Sequence, residues 1–325
     1  SFLILIHELG HFLVAKFFGI GVEEFGIGFP PRIFSKKIGE TRYSVNWLPL
    51  GGFVKLCGEF TSSQDVNFTP CDEVKLFIKK KIWQRALVII AGVFMNFVFG
   101  WLLLSSILFI GAPQSILIND ILPNSAAERA GFIKGDRILD FESAGKLTDF
   151  IKSHPNEEIT LTVIRATQND GLNKLLIKAV PEKNLGIIIS DVGLPAQPLF
   201  IALGKGFLNS FYIMGLILLA LGNIFNAPES FVGPVGIFNI AMETGKLGLI
   251  YVFHLLAIIS LNLAVLNILP IPALDGGRLF FLLIEKLRGK SFLPKTELKA
   301  NAIGFVLLII LILGITIVDI SRFVL

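Results

Sequence analysis

Charged residues are scarce: they make up 17% of the 325-residue chain against 53% hydrophobic residues, and the mean hydropathy is +0.73. A soluble domain carries about 25% charged residues, so water is not the only solvent this chain is built for. Cysteine is almost missing. Cys57 and Cys71 form neither a CxxC pair nor a disulfide framework, which predicts two ordinary free thiols. Tyrosine and tryptophan number three each beside 30 phenylalanines, a balance suited to lipid-facing helices. Acidic and basic residues nearly cancel. The net charge of +4 reads as loop charge near a membrane and excludes any reason to expect a nucleic-acid partner.

What the chain does have is long uncharged runs. Residues 86–110 and 302–318 carry no charge, and 247–272 carry none besides His254. Each is near the ~20 apolar residues a spanning helix needs. The segment 1–19 is apolar but holds His7, Glu8, His11 and Lys16, and it opens on Ser1 rather than Met, so it reads as a first span cut short. The stretch 20–81 contains Lys79-Lys80-Lys81, and 276–301 contains Arg278, Lys286, Arg288, Lys290, Lys295 and Lys299. Both read as cytoplasmic by the positive-inside rule, whereas 111–190 shows no basic bias and can lie outside. This arrangement predicts spans at 1–19, 82–110, 249–275 and 302–325, with 191–248 an interfacial or membrane-dipping helical segment. The lipid bilayer is therefore an expected partner.

Two regions break the helical pattern. In 20–81, GIGFPPRIF and RYSVNWLPLGGFVKL are short β-rich runs broken by glycine and proline, predicting a β-hairpin on the cytoplasmic side. It is either a stabilising loop or a strand edge offered to an extended peptide. In 111–190, Asn124-Ser125-Ala126-Ala127-Glu128-Arg129-Ala130-Gly131 followed by Gly135-Asp136 predicts a capped short helix, a glycine turn and a turn into a strand. That pattern resembles the bacterial PDZ domain. The expected fold class is thus an α-helical polytopic membrane protein of about four transmembrane helices, with a membrane-associated β-hairpin region and an inserted α+β PDZ-like domain.

The chemistry starts at His7-Glu8-Leu9-Gly10-His11, an H-E-x-x-H motif. Residues four apart share a helix face, so both imidazoles can reach one metal ion, and Glu8 sits beside them to take a proton from a metal-bound water. Two histidines and a glutamate in a lipid-embedded helix are costly without partners, which favours function over coincidence. A catalytic zinc needs three protein ligands and an open position. Asp275, in Asn267-Ile268-Leu269-Pro270-Ile271-Pro272-Ala273-Leu274-Asp275-Gly276-Gly277, is the acidic residue at the end of another span. The alternative is a surface Asp capping the helix that follows.

HELGH in the first span together with NxxPxPxLDGG at Asn267–Gly277 resembles the site-2 protease family of intramembrane metalloproteases. The PDZ-like insert makes it similar to the bacterial regulator-of-sigma-E protease branch, and GxxxN at Gly92–Asn96 and FVGPVGI at Phe231–Ile237 extend the likeness. The resemblance implies a zinc metalloendopeptidase with one Zn2+ held by His7, His11 and Asp275, and Glu8 as general base. It also implies Asn267, Asn96, Gly51 and Gly52 as substrate-binding residues, the last two in a β-loop that holds the substrate as an added strand. It further implies a transmembrane protein or peptide substrate, such as a pre-cleaved anti-sigma factor or a signal-peptide-like segment. The setting it implies is a bacterial inner (cytoplasmic) membrane with the PDZ-like domain extracytoplasmic. Many members of the branch carry two tandem PDZ domains; 111–190 has room for one. Two rivals stand beside this reading: a non-proteolytic scaffold displaying a PDZ domain, and a membrane-anchored zincin taking its third ligand from Glu23 or Glu24.

Overall fold

The computed structural model describes residues 2–59, 72–167, 171–181, 184–223, 232–290 and 294–323. The chain divides into two units, Ser1–Ser105 with Leu203–Leu325, and Ser106–Ala202.

In the first unit, the apolar runs become helices α1 (Phe2–Phe17), α2 (Ile82–Ile110), α5 (Leu199–Gly222), α6 (Pro234–Leu247), α7 (Leu249–Ile268), α8 (Asp275–Arg288) and α9 (Pro294–Phe323). Among the described residues, four stretches are long and apolar enough to cross a membrane: Ile82–Ile110, Leu199–Gly222, Leu249–Ile268 and Thr296–Ser321. The chain is a multi-pass membrane protein. Small residues let these helices approach closely. A Cβ at Gly100 would stand 2.8 Å from Leu261 Cγ, and Ser260 Oγ donates to Asn96 O at 2.8 Å, so α2 and α7 are in direct contact.

Residues 191–248 hold α5 and α6, and α5 is long and apolar enough to cross, so its length does not confine it to an interface. It packs antiparallel on the second half of α2, where Trp101 Nε1 donates to Leu203 O at 2.9 Å and Phe97 meets Phe211 at 5.2 Å between centroids. Residues 276–301, expected as a loop, contain most of α8, tied to α2 by an Arg85–Glu285 ion pair at 3.0 Å. Asp319 is fully buried, and its Oδ2 accepts the Gly236 N–H at the start of α6 at 2.8 Å. Cys57 is disulfide-bonded rather than free; Cys71 lies outside the described residues.

Strands β1 (Val22–Ile38) and β2 (Thr41–Leu56) form an antiparallel sheet. Each is bent into two pieces by bulges, so Glu24, Phe25, Gly26 and Ile27 pair on one side with 42–45 and on the other with 52–55. Among the described residues, the piece 52–56 therefore pairs on one side only and forms an edge of the sheet.

The second unit is a five-stranded sheet of order β6-β5-β4-β3-β7, from β3 (Ala112–Ile121), β4 (Arg137–Ile138), β5 (Ile159–Thr167), β6 (Gly171–Ala179) and β7 (Ile187–Leu194). Two helices, α3 (Ala126–Ala130) and α4 (Ala144–Ser153), accompany it. Ser125 caps α3 by accepting from Glu128 N, and Gly131 follows in the left-handed region at φ 85°. Asp136 is buried, accepting from Ile133 N and pairing with Arg165 at 2.8 Å. Ile116, Ile118, Ile138, Leu147, Leu161 and Val163 fill a core of its own.

Candidate metal centre

The i, i+4 spacing on α1 turns His7 and His11 to one side, with their rings edge-on at 4.7 Å between centroids. Glycine makes room for them. A Cβ at Gly92 on α2 would stand 2.4 Å from His11 Nε2 and 2.8 Å from His7 Cε1, and one at Gly10 would stand 2.3 Å from Ala91 O. The two helices therefore close to backbone contact with the imidazoles lodged over Gly92.

The third element is the segment before α8. Pro270 and Pro272 end the α7 ladder, and the chain folds back over the first turn of α8. Only glycine fits there, because a Cβ would come within 2.0 Å of Leu269 O at Gly276 and 2.4 Å of Ile271 O at Gly277. Asp275 is thus the first residue of α8, and it is buried rather than displayed at a surface.

These elements bring three donor atoms together. Asp275 Oδ2 lies 2.8 Å from His7 Nε2 and 3.3 Å from His11 Nε2, and the two Nε2 atoms are 3.2 Å apart. A tetrahedral ion with bonds of about 2.0–2.1 Å sets its ligands about 3.3 Å apart, which matches the two separations that involve His11 and exceeds the 2.8 Å between His7 and Asp275. Asp275 Oδ2 is buried and makes no regular hydrogen bond, leaving the two imidazole nitrogens as its neighbours. Among the described residues, this is the group of histidine, cysteine and acidic side chains able to hold a metal ion. The donor set and spacing fit zinc.

Support behind the ligands agrees. His11 Nδ1 lies 2.8 Å from Val88 O, a partner that only a protonated Nδ1 satisfies, leaving Nε2 its lone pair. His7 Nδ1 faces the side-chain amide of Asn96 at 3.3 Å. The atom placed there is Nδ2; a His7 that keeps Nε2 for a metal carries its proton on Nδ1, which the amide accepts once its oxygen is turned toward the ring. Asn96 is fully buried beside His7 and is not among the residues that line the cavity in front of the ligands. Its signal in the sequence was the four-residue offset from Gly92, one helical turn.

In front of the three ligands lies a cavity of about 550 Å³. Glu8 and Asn267 line it, as do Gly52, Phe53 and Val54 from the sheet edge, Arg278 from α8, and Phe305, Leu308, Ile309 and Ile312 from α9. A Cβ at Gly52 would sit 3.7 Å from Glu8 Cγ, so the edge strand passes directly beside Glu8. Gly51, at φ 106°, turns toward Phe29 and Ile4 and does not line the cavity. Arg278, which is paired with Glu59, and the α9 wall were not singled out from the sequence. The offset of three residues from Asp275 along one helix was the available signal for Arg278. Glu23 and Glu24, the rival ligands, are ion-paired with Lys55 at 3.0 Å and Arg32 at 2.9 Å instead.

The comparisons with known proteins follow the same lines. The family described as Peptidase family M50 matches residues 1–311. A Clostridium perfringens protein is 36% identical over 98% of this chain and 96% of its own length. Zinc metalloprotease RasP of Geobacillus kaustophilus is 30% identical over 99% of this chain and 96% of its own. Regulator of sigma-W protease RasP of Bacillus subtilis is 29% identical over 98% and 96%. The chain belongs to peptidase family M50.

Proposed function

We propose that this zinc metalloprotease cleaves peptide bonds within or beside transmembrane segments, using His7, His11 and Asp275 as metal ligands and Glu8 as general base. The observation that carries this is the convergence of three buried donor atoms, two from α1 and one from the start of α8, within 3.3 Å of one another and beside Glu8. Bound there, zinc supplies Lewis-acid polarisation of the scissile carbonyl and of the attacking water. Glu8, beside the ligands and lining the cavity, takes a proton from that water on its carboxylate and returns it to the departing amide nitrogen. Asn267 lines the same cavity, where its side-chain amide can hold the substrate or the carbonyl oxygen as it gains charge.

A helical substrate hides its own amides, so it must unwind before it is cut. The edge strand 52–56 offers backbone groups that are unpaired among the described residues next to Glu8, and an extended segment added there regains main-chain hydrogen bonds. Gly52 keeps the path to Glu8 open, while Gly51 shapes the bend that precedes it. The second unit is the PDZ-like domain: it lies outside the membrane and either recognises a newly exposed C-terminus or excludes bulky substrates. The basic loops then face the cytoplasm of a bacterial cell, and the substrate is a membrane protein such as a pre-cleaved anti-sigma factor, in line with the name of the Bacillus subtilis relative.

The test is to incubate the purified protein in detergent with a single-span substrate and map the products by mass spectrometry. Cleavage inside or at the edge of the span is expected. Cleavage confined to soluble loops would place the protein with membrane-anchored zincins, and no cleavage at all with scaffolds.

A further inference from the structure

The segment that delivers Asp275 is not held by its own hydrogen bonds alone. Within it, Ile271 N donates to Leu269 O, Leu274 N to Ile271 O, and Gly277 N to Leu274 O. Ala273 N instead donates to Asn301 Oδ1 on α9, at 3.1 Å. Ala273 is also the strained member of the segment: it has φ 76°, a left-handed conformation that residues with a side chain adopt only at a cost. It precedes Asp275 by two residues. Such a conformation persists only where neighbours enforce it, and the neighbour here is α9.

The same face of α9 makes a second contact. A Cβ at Gly304 would stand 2.4 Å from Pro272 O, so the α9 backbone rests directly on the residue before Ala273. Asn301 and Gly304, three residues apart, therefore grip successive residues of the ligand segment. The face continues along the cavity through Phe305, Leu308, Ile309 and Ile312.

We propose that Asn301 is a positioning residue for the metal centre: by accepting the Ala273 N–H it holds the left-handed turn that aims Asp275 at His7 and His11. Docking of α9 and the geometry of the third ligand are then one structural event. The inference rests on the reading of Asp275 as a metal ligand, so the experiment carries Asp275→Asn as a separate control.

The measurement is zinc affinity of the full chain in detergent, read by competition with a chromogenic chelator, beside thermal unfolding of the metal-free protein. Asn301→Leu removes the acceptor at similar size, and zinc binding is expected to weaken about tenfold with metal-free unfolding unchanged. Asn301→Asp keeps an acceptor and should stay within about twofold of wild type. Ala273→Gly adopts the left-handed turn without strain, so the loss caused by Asn301→Leu should shrink in the double variant. If Asn301→Leu does not fold, Asn301→Ser withdraws the acceptor while keeping a polar side chain and carries the same expectation. Wild-type zinc affinity in the acceptor-lacking variants overturns the proposal, as does an equal loss in Asn301→Asp or strictly additive losses with Ala273→Gly. Zinc retained by Asp275→Asn overturns the underlying ligand reading instead.

Discussion

At the scale of single residues, the centre is built as much from missing side chains as from ligands. Gly92 is the sharpest case, because an added methyl would occupy the place of both imidazoles. Gly92→Ala is expected to abolish zinc binding while leaving α2 helical, measurable as metal content beside circular dichroism. Asn96→Ala removes the partner behind His7 and should weaken zinc affinity by about 10–100-fold, as outer-shell losses do. Asp275→Asn should lose zinc, whereas Glu23→Gln combined with Glu24→Gln should keep it; the reverse pattern would revive the zincin reading. The two histidines and Glu8 were legible in the sequence because their spacing has a helical meaning. Asn96 was legible as a motif position, and the sequence does not choose between the substrate and a neighbouring ligand as what a buried polar residue in an apolar helix faces. Asn301 carried no signal, because its partner is a backbone N–H that only the folded segment presents.

At the scale of elements, the edge piece 52–56 and helix α8 carry the most consequence. Gly52→Leu places a side chain between the sheet edge and Glu8. It is expected to raise KM for a single-span substrate severalfold with zinc content unchanged; unaltered KM would remove the edge from the substrate path. Strand runs around Gly51 and Gly52 were visible as β-rich segments. The double pairing of β1 was not visible, because bulges shift register without leaving a periodic trace. The basic residues of helix α8 dominate its charge count and read as a loop, although their positions leave an apolar face. In the second unit, Arg165→Met would strand the buried Asp136 carboxylate. It should cost roughly 2–3 kcal/mol in denaturant unfolding of a 106–202 fragment, at the low end because Arg165 reaches solvent.

At the scale of the whole molecule, the apolar runs identified a multi-pass membrane protein without ambiguity, because nothing but a bilayer asks for uncharged helices of this length. Which of those runs cross was less legible. Charge bias speaks only through the loops, and α5 has the length and hydropathy of a span while loop charge argued for the interface. Single cysteines introduced at Lys286 and Lys152, in a background lacking Cys57 and Cys71, resolve the sidedness. Impermeant thiol reagents should reach Lys286→Cys only from the cytoplasm and Lys152→Cys only from outside. The central claim is that His7, His11 and Asp275 hold zinc while Glu8 moves the proton. It is tested most directly by Glu8→Gln beside wild type, with zinc content and cleavage of a single-span substrate measured on the same preparations. The account predicts equal zinc in both and a loss of cleavage of about 100-fold or more in Glu8→Gln. Equal cleavage by Glu8→Gln, or a wild-type protein that cuts without zinc, would contradict it.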